Sequence, residues 1–313
     1  MRVGIVGCGL IGRKRAEALG PDDELVATYD PAQAFGPAVD SRASLLAREP
    51  DVVVVATTHD QLAENAIVAL EAGAHVLVEK PAGIGSAQVE AVREAAERAG
   101  RRVKVGFNHR FHPGLMRAVE EARSGAHGEI LNLRARYGHG GRLGYEREWR
   151  ADPARSGGGE LIDQGMHLLD LSHWLLGPLP LHSALTRTAY WDMPVEDNAV
   201  VLLGERSQGP WAALHVSWTE WKNLFSLEIA CRTAKLQVDG LVRSYGAQRL
   251  TRYLMKPELG PPDVDVVDYP PEDGSWEAEW RHFKAAIESG DSLLGDLSSA
   301  AYAWACVEAA YAQ

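Results

Sequence analysis

The chain has 313 residues, 46% of them apolar, and a formal net charge of −11 at pH 7. That length predicts about two domains with sizeable cores, and the acidic balance argues against nucleic acid or an anionic membrane as the main partner, though local basic residues could still hold a phosphorylated substrate. Cys8, Cys231 and Cys306 stand far apart without metal-ligand spacing, so neither a disulfide framework nor a metal site is expected and a reducing, cytoplasmic setting fits; no stretch reaches the ~18 apolar residues of a membrane helix, and the N-terminus has no signal-peptide core.

The first predicted element is a strand, the apolar run Val3-Gly4-Ile5-Val6, followed at once by Gly7-Cys8-Gly9-Leu10-Ile11-Gly12. A second strand, Leu25-Val26-Ala27-Thr28-Tyr29, ends in Asp30, 21 residues after Gly9. Strand, glycine turn, helix, strand and acid in this order form a dinucleotide site. The glycines let the backbone approach a pyrophosphate, the helix start offers it N–H groups and partial positive charge, and the acid accepts from ribose hydroxyls. The bland alternative is an ordinary strand-to-helix turn. Cys8 reads as a small packing residue of that turn. Asp30 followed by Pro31 favours NAD over NADP, because a carboxylate repels a 2′-phosphate and no arginine follows to bind one.

Strand-like and helix-like runs then alternate, which predicts a parallel sheet with crossover helices, an α/β domain over residues 1–121. Helices are expected over 41–48, 60–72 and 88–99, the second closed by Gly73 and the third by Gly100; strands are expected over 51–56, 75–78 and 102–107. The β-branched run Val52-Val53-Val54-Val55 reads as a strand buried on both faces. From residue 122 to 313 the texture changes to strands with polar alternation, over 130–137, 183–190, 199–203, 211–218, 225–232 and 235–238, a mostly antiparallel sheet. One strong helix over 160–176 interrupts them, residues 257–271 read as a proline-rich loop, and helices over 276–289 and 297–311 close the chain.

Three places offer chemistry. Glu79-Lys80-Pro81 follows a strand end, where open parallel sheets bind ligands; proline restricts the backbone around Lys80. The alternative is a surface Glu-Lys pair worth under ~1 kcal/mol. Gly157-Gly158-Gly159 precedes Asp163 and His167, which are i and i+4 on the predicted helix and share a face; glycines before that helix let another group come close to its start. A histidine beside a carboxylate can accept protons near neutral pH, but the pair could equally be a structural hydrogen bond, and two such ligands are too few for a metal. Asn108-His109-Arg110-Phe111-His112 lies past another strand end and either lines a cleft or caps a hinge.

With Glu79-Lys80-Pro81 and the run from Gly157 to His167 added to the glycine turn, the chain resembles the glucose–fructose oxidoreductase / inositol dehydrogenase (Gfo/Idh/MocA) family over nearly its whole length. The resemblance implies an N-terminal Rossmann doubly wound parallel sheet and a C-terminal α+β domain with an open-faced, mostly antiparallel sheet. It implies NAD(P)-dependent oxidation or reduction of sugars, cyclitols or their derivatives. Carried over by motif, Lys80, Asp163 and His167 resemble the family's catalytic trio. Gly7, Gly9, Leu10, Ile11 and Asp30 match its cofactor turn, and Ala56-Thr57-Thr58-His59 matches a cofactor loop that usually reads Ala-Thr-Pro-Asn, with Thr58 and His59 as departures and Leu62 in place of a later histidine. Glu79, Pro81 and Asn108 join the expected cofactor contacts.

Arg110, Tyr145, Trp149 and Arg150 join Lys80, Asp163 and His167 as expected substrate contacts, the aromatic and charged groups of 145–150 suiting a pyranose ring. The expected substrate is a nucleotide-linked sugar or its keto form, then a free cyclitol. Other readings are a non-catalytic dinucleotide-binding regulator and an aldehyde or imine reductase. An open sheet face predicts a homo-oligomer, dimer or tetramer, built sheet to sheet.

Overall fold

The computed structural model describes residues 1–313. Two compact units emerge, each assembled from separated segments: Met1–Asn108 with Ala154–Gly157 and Trp276–Trp304, and His109–Pro153 with Gly158–Ser275 and Ala305–Gln313. The expected boundary after residue 121 lies within a helix, Pro113–Arg123.

In chain order the first unit runs β1 (Arg2–Val6), α1 (Leu10–Glu17), β2 (Glu24–Tyr29), α2 (Arg42–Leu46), β3 (Val52–Val55), α3 (His59–Glu71), β4 (His75–Val78), α4 (Ser86–Ala99) and β5 (Val103–Val105). The strands form one parallel sheet in the order β2-β1-β3-β4-β5. All four valines of β3 are buried, as a central strand covered on both faces requires. Local chemistry sets the helix ends. Ser41 Oγ accepts the Ser44 N–H at 3.1 Å to start α2, and Gly100, with φ 60°, closes α4 in the left-handed region.

The chain continues through α5 (Pro113–Arg123), β6 (Ile130–Gly138), α6 (Pro153–Ser156), α7 (Glu160–Asp163), α8 (Gly165–Leu176), β7 (Leu181–Arg187), β8 (Asn198–Leu203), β9 (Trp211–Ser217), β10 (Leu224–Cys231), β11 (Ala234–Asp239), β12 (Arg249–Leu254), β13 (Asp263–Asp268), α9 (Ser275–Ser289) and α10 (Leu297–Tyr311). Trp280 and Phe283 of α9 pack on Val3, Ile5, Val52, Val54 and Leu77 of the parallel sheet. β13 through β7 make an eight-stranded sheet in the order β13-β12-β11-β10-β6-β9-β8-β7. Only the β6–β9 pair is parallel, so the sheet is mostly antiparallel. Within this unit α5 and α8 pack on one face. The other face leaves Leu185, Val200, Leu202 and Trp211 exposed beside the ion pair Arg134–Glu228, at 2.6 Å. No helix is long and apolar enough to cross a membrane.

Three expectations need correction. Residues 257–271 are not all loop: β13 pairs antiparallel with β12. Its aspartates sit on an edge strand and pair with cations, Asp263 with Lys256 (2.9 Å), Asp265 with Arg252 (2.7 Å) and Asp268 with Arg249 (2.7 Å); charge on an edge also resists strand-on-strand aggregation. The helix over 160–176 is broken at Gln164 into α7 and α8. Helix α5 was not anticipated.

Candidate active site

The glycine turn is built by close packing. Gly7 has φ 101°, and a Cβ there would overlap the Ala56 backbone carbonyl; a Cβ on Gly12 would overlap the Gly7 carbonyl. Gly9 differs: a Cβ there meets nothing within 4 Å, so its bareness leaves room for a group from outside the chain. No side chain caps α1 at Gly9, and Leu10 is exposed while Ile11 is half-buried. Asp30 is drawn to the turn, its Oδ2 accepting the Cys8 N–H at 2.8 Å and its Oδ1 the N–H groups of Ala32 and Gln33 at 2.8 and 3.1 Å. A carboxylate oxygen accepts more than one donor, so this anchored acid retains capacity for a ribose hydroxyl. Open space over Gly9, an uncapped helix start and an acid at the rim fit a dinucleotide.

After β3, Thr57 and Thr58 are half-buried, and the Thr58 hydroxyl donates to Asp60 at 2.6 Å. His59 is buried, its Nδ1 2.9 Å from the Ser156 carbonyl. A carbonyl only accepts, so Nδ1 carries the proton and the ring fastens the 154–157 segment to this unit. After β4 the Glu79 carboxylate, expected at the cofactor, turns instead to Arg15, whose Nε donates to Oε1 at 2.6 Å. Lys80 is half-buried. The Pro81 carbonyl accepts the Trp304 indole N–H at 3.0 Å, so both neighbours of Lys80 are held. Asn108 is buried in the single 3-10 turn Asn108–Phe111.

In the second unit the group that approaches the glycine run is the chain's own. A Cβ on Gly158 would overlap the Tyr311 hydroxyl, and one on Gly159 the Glu196 carbonyl. Glu196 accepts the N–H groups of Gly159 and Leu161, each at 3.0 Å, and the Tyr311 hydroxyl at 2.8 Å. A buried carboxylate therefore caps the start of α7. α7 ends at Asp163, and the His167 N–H bonds the Gln164 carbonyl at 3.0 Å, three residues back. Asp163 and His167 thus sit on two successive helices rather than on one continuous helix.

Asp163 Oδ2 accepts Arg150 Nε at 3.1 Å, and the Arg150 guanidinium lies 4.6 Å over the Trp149 ring. Burial opposes the Arg150 charge, but Asp163, Tyr145 and Glu148 outweigh it and raise its pKa. His167 is buried and stacks on His109, with ring centroids 3.7 Å apart and planes at 21°. Tyr137 lies 5.3 Å from His109 and 6.3 Å from His167 by ring centroids. Gln164 Nε2 donates to the Tyr245 hydroxyl at 2.9 Å. Burial pushes the Tyr245 phenol up to about 12 and Tyr137 well above the usual tyrosine range, so both keep their protons at neutral pH. A second imidazole, protonated phenols and an amide around His167 suit recognition of hydroxyl groups.

Two expected substrate contacts are spent elsewhere. Tyr145 is 2% exposed and packs with Ala151, Met193, Val195 and Trp218. Arg110 forks onto Asp170, Nε to Oδ2 at 2.8 Å and Nη2 to Oδ1 at 2.6 Å. Tyr137, Gln164, Tyr245 and Glu196 were missed; only Tyr137, the last inward residue of a regular alternation, carried a local signal.

His112 lies edge-on to His109 at 5.6 Å and is pushed down to about 4 by burial, against the opposing pull of Asp273. An unfolded histidine titrates near 6.5, so the unfolded chain binds the extra proton between the two values. Stability is full above pH 6.5 and falls with pH, by about 3 kcal/mol at pH 4 from this residue. Urea unfolding at pH 7 and 4.5 is expected to show a smaller acid loss in His112→Gln than in the parent chain.

One chain thus carries a parallel sheet that opens on a glycine turn and a mostly antiparallel sheet with phenol, imidazole and amide side chains gathered on it. Residues 1–107 match the oxidoreductase family with an NAD-binding Rossmann fold, and residues 115–237 match the GFO/IDH/MocA C-terminal domain; the chain belongs to the Gfo/Idh/MocA family. It is 34% identical over 193 residues to D-glucoside 3-dehydrogenase of Escherichia coli (strain K12), 56% of this chain and 54% of that one. It is 29% identical over 215 residues to inositol 2-dehydrogenase 2 of Saccharopolyspora erythraea, 61% of each chain. The match spans little more than half the length of these relatives. A levoglucosan dehydrogenase structure in complex with NADH and levoglucosan superposes with a TM-score of 0.86 at 19% identity, covering 100% of this chain and 97% of that one, which shows the shared fold.

Proposed function

We propose that this chain is an NAD-dependent oxidoreductase that moves hydride between nicotinamide and a carbinol or keto carbon of a sugar, sugar nucleotide or cyclitol. The observation that carries the reading is the presence, in one chain with a dinucleotide turn, of Lys80 at a strand end and of His167 among protonated phenols and a second imidazole. Bound nicotinamide supplies the hydride acceptor or donor. In the oxidation direction His167 accepts the hydroxyl proton, and Lys80 donates a hydrogen bond to the same oxygen as negative charge develops. Asp163, tied to Arg150, orients the group. Tyr137, Gln164 and Tyr245 select hydroxyl-bearing substrates. Support comes from relatives named for a glucoside and an inositol. The uncovered sheet face, with Leu185, Val200, Leu202 and Trp211 exposed, supports a homodimer or homotetramer.

The test is cofactor reduction across sugars, sugar nucleotides and cyclitols with NAD and NADP in parallel. At least one member is expected to turn over, with kcat/KM for NAD about tenfold or more above NADP, because Asp30 repels the 2′-phosphate. NAD binding without turnover of any member would favour a non-catalytic regulator. Activity on cyclic imines with NADPH would favour an imine reductase.

A further inference from the structure

Four charged side chains meet inside the first unit and reach the residue just before Lys80. Arg15 on α1 donates Nε to Glu79 Oε1 and Nη1 to Glu279 Oε2 on α9, both at 2.6 Å. Lys104 on β5 places Nζ 2.7 Å from Glu279 Oε1. Lys104 and Glu279 are fully buried, and Arg15 and Glu79 nearly so. The Arg15 guanidinium also lies 4.4 Å over the Trp276 ring. Where β5 ends, a Cβ on Gly106 would stand 2.7 Å from both Arg15 Nη2 and Glu79 Oε2, so that position must stay bare for the pair to form.

Two cations and two anions balance, but a balanced buried set gains little net stability over apolar packing. What it supplies is geometry. A guanidinium is a rigid planar fork that can grip two carboxylates at fixed angles. Here the fork rises from the helix that opens on the glycine turn. One carboxylate belongs to the neighbour of Lys80, and the other is held from behind by Lys104. The Glu79 carbonyl accepts the Ala82 N–H at 2.9 Å, and Trp304 holds the Pro81 carbonyl. Lys80 is therefore flanked on both sides by fixed backbone.

We propose that Arg15, backed by Glu279 and Lys104, is a positioning residue for the reaction: by clamping Glu79 it fixes Lys80 relative to the helix that opens on the glycine turn. The proposal rests on the reading of Lys80 as the group that hydrogen-bonds the reacting oxygen. Arg15→Lys keeps the charge and loses the fork; Glu79→Gln keeps the shape and loses the charge.

In full-length protein with its active substrate, both variants are expected to lower kcat by about 100-fold, the scale of a 1 Å misplacement. KM and NAD affinity are expected to stay within about threefold, and the primary deuterium isotope effect on kcat to rise as hydride transfer becomes limiting. A crystal structure of Arg15→Lys without cofactor is expected to show the 79–81 backbone shifted or disordered. An unshifted backbone with unchanged kcat and isotope effect overturns the proposal. So does a fall in kcat matched by equal losses of NAD affinity and melting temperature, which marks a merely structural role. If Arg15→Lys does not fold, Glu79→Gln carries the same comparison. A Lys80→Met control separates the two readings: normal turnover there defeats the role of Lys80 itself, whereas an inactive control beside two fully active clamp variants defeats only the clamp.

Discussion

Turnover of a Lys80→Met variant is expected to fall by about 10³-fold or more, with NAD affinity within about threefold of the parent. Methionine keeps the length and apolar stem of the side chain and removes only the ammonium. The backbone on either side of Lys80 is held by other groups. Glu79 is gripped by Arg15 and its N–H bonds the Val55 carbonyl at 2.9 Å, while Trp304 holds the Pro81 carbonyl. The variant should therefore fold and bind NAD through the glycine turn and Asp30, which lie on other elements. Losing one preorganised donor to a developing oxyanion costs about 10²–10³ in kcat, and disturbing proton transfer at the same oxygen adds to it. Steady-state kinetics with a substrate from the panel, beside NAD titration, decides it. Near-parent turnover with intact binding would remove Lys80 from the chemistry and leave His167 without its expected partner in stabilising charge.

What could be read from the chain was mainly what local physics dictates. The four valines of β3, the serine cap of α2 and the left-handed glycine after α4 each state their structure within a few residues. The glycine turn did too, because three glycines with three different packing demands leave few other uses for that spacing. Helix α5 was equally legible and was passed over: Leu115, Ala118, Val119 and Ala122 are buried at helical spacing behind Pro113 at the first turn.

Other features depend on partners far along the chain. Glu79 reads as a cofactor contact beside Lys80 until Arg15, 64 residues away in sequence, is seen gripping it, with Glu279, 264 residues from Arg15, held by the same guanidinium. Glu196 carries no mark of being the cap for Leu161, and Tyr245 none of being the partner of Gln164. The break at Gln164 was hidden because the apolar pattern of α7 runs on into α8 without a proline. The aspartates of β13 masked a strand because their neutralising cations lie on β12 and just beyond it. Sequence periodicity reports burial and turn chemistry well; it is silent on which distant side chain meets a buried charge.

That distinction matters most for Arg110, whose sequence position suggested a cleft and whose structure shows a buried fork on Asp170. Asp170→Ala is expected to destabilise the protein by about 3–5 kcal/mol, because the guanidinium loses its carboxylate while still inside the fold. For a unit of this size that corresponds to a fall in melting temperature on the order of 10 °C. Removing both charges is a different perturbation. Arg110→Met combined with Asp170→Leu exchanges the pair for apolar groups of similar volume and is expected to recover most of the loss. Thermal unfolding of the parent, the single variant and the double variant measures the coupling directly. The double variant also separates the two uses of Arg110. If the fork is its whole contribution, restored stability brings restored kcat and KM; if stability returns while KM stays raised, Arg110 also contacts substrate, and the carboxylate of Asp170 is what holds it there.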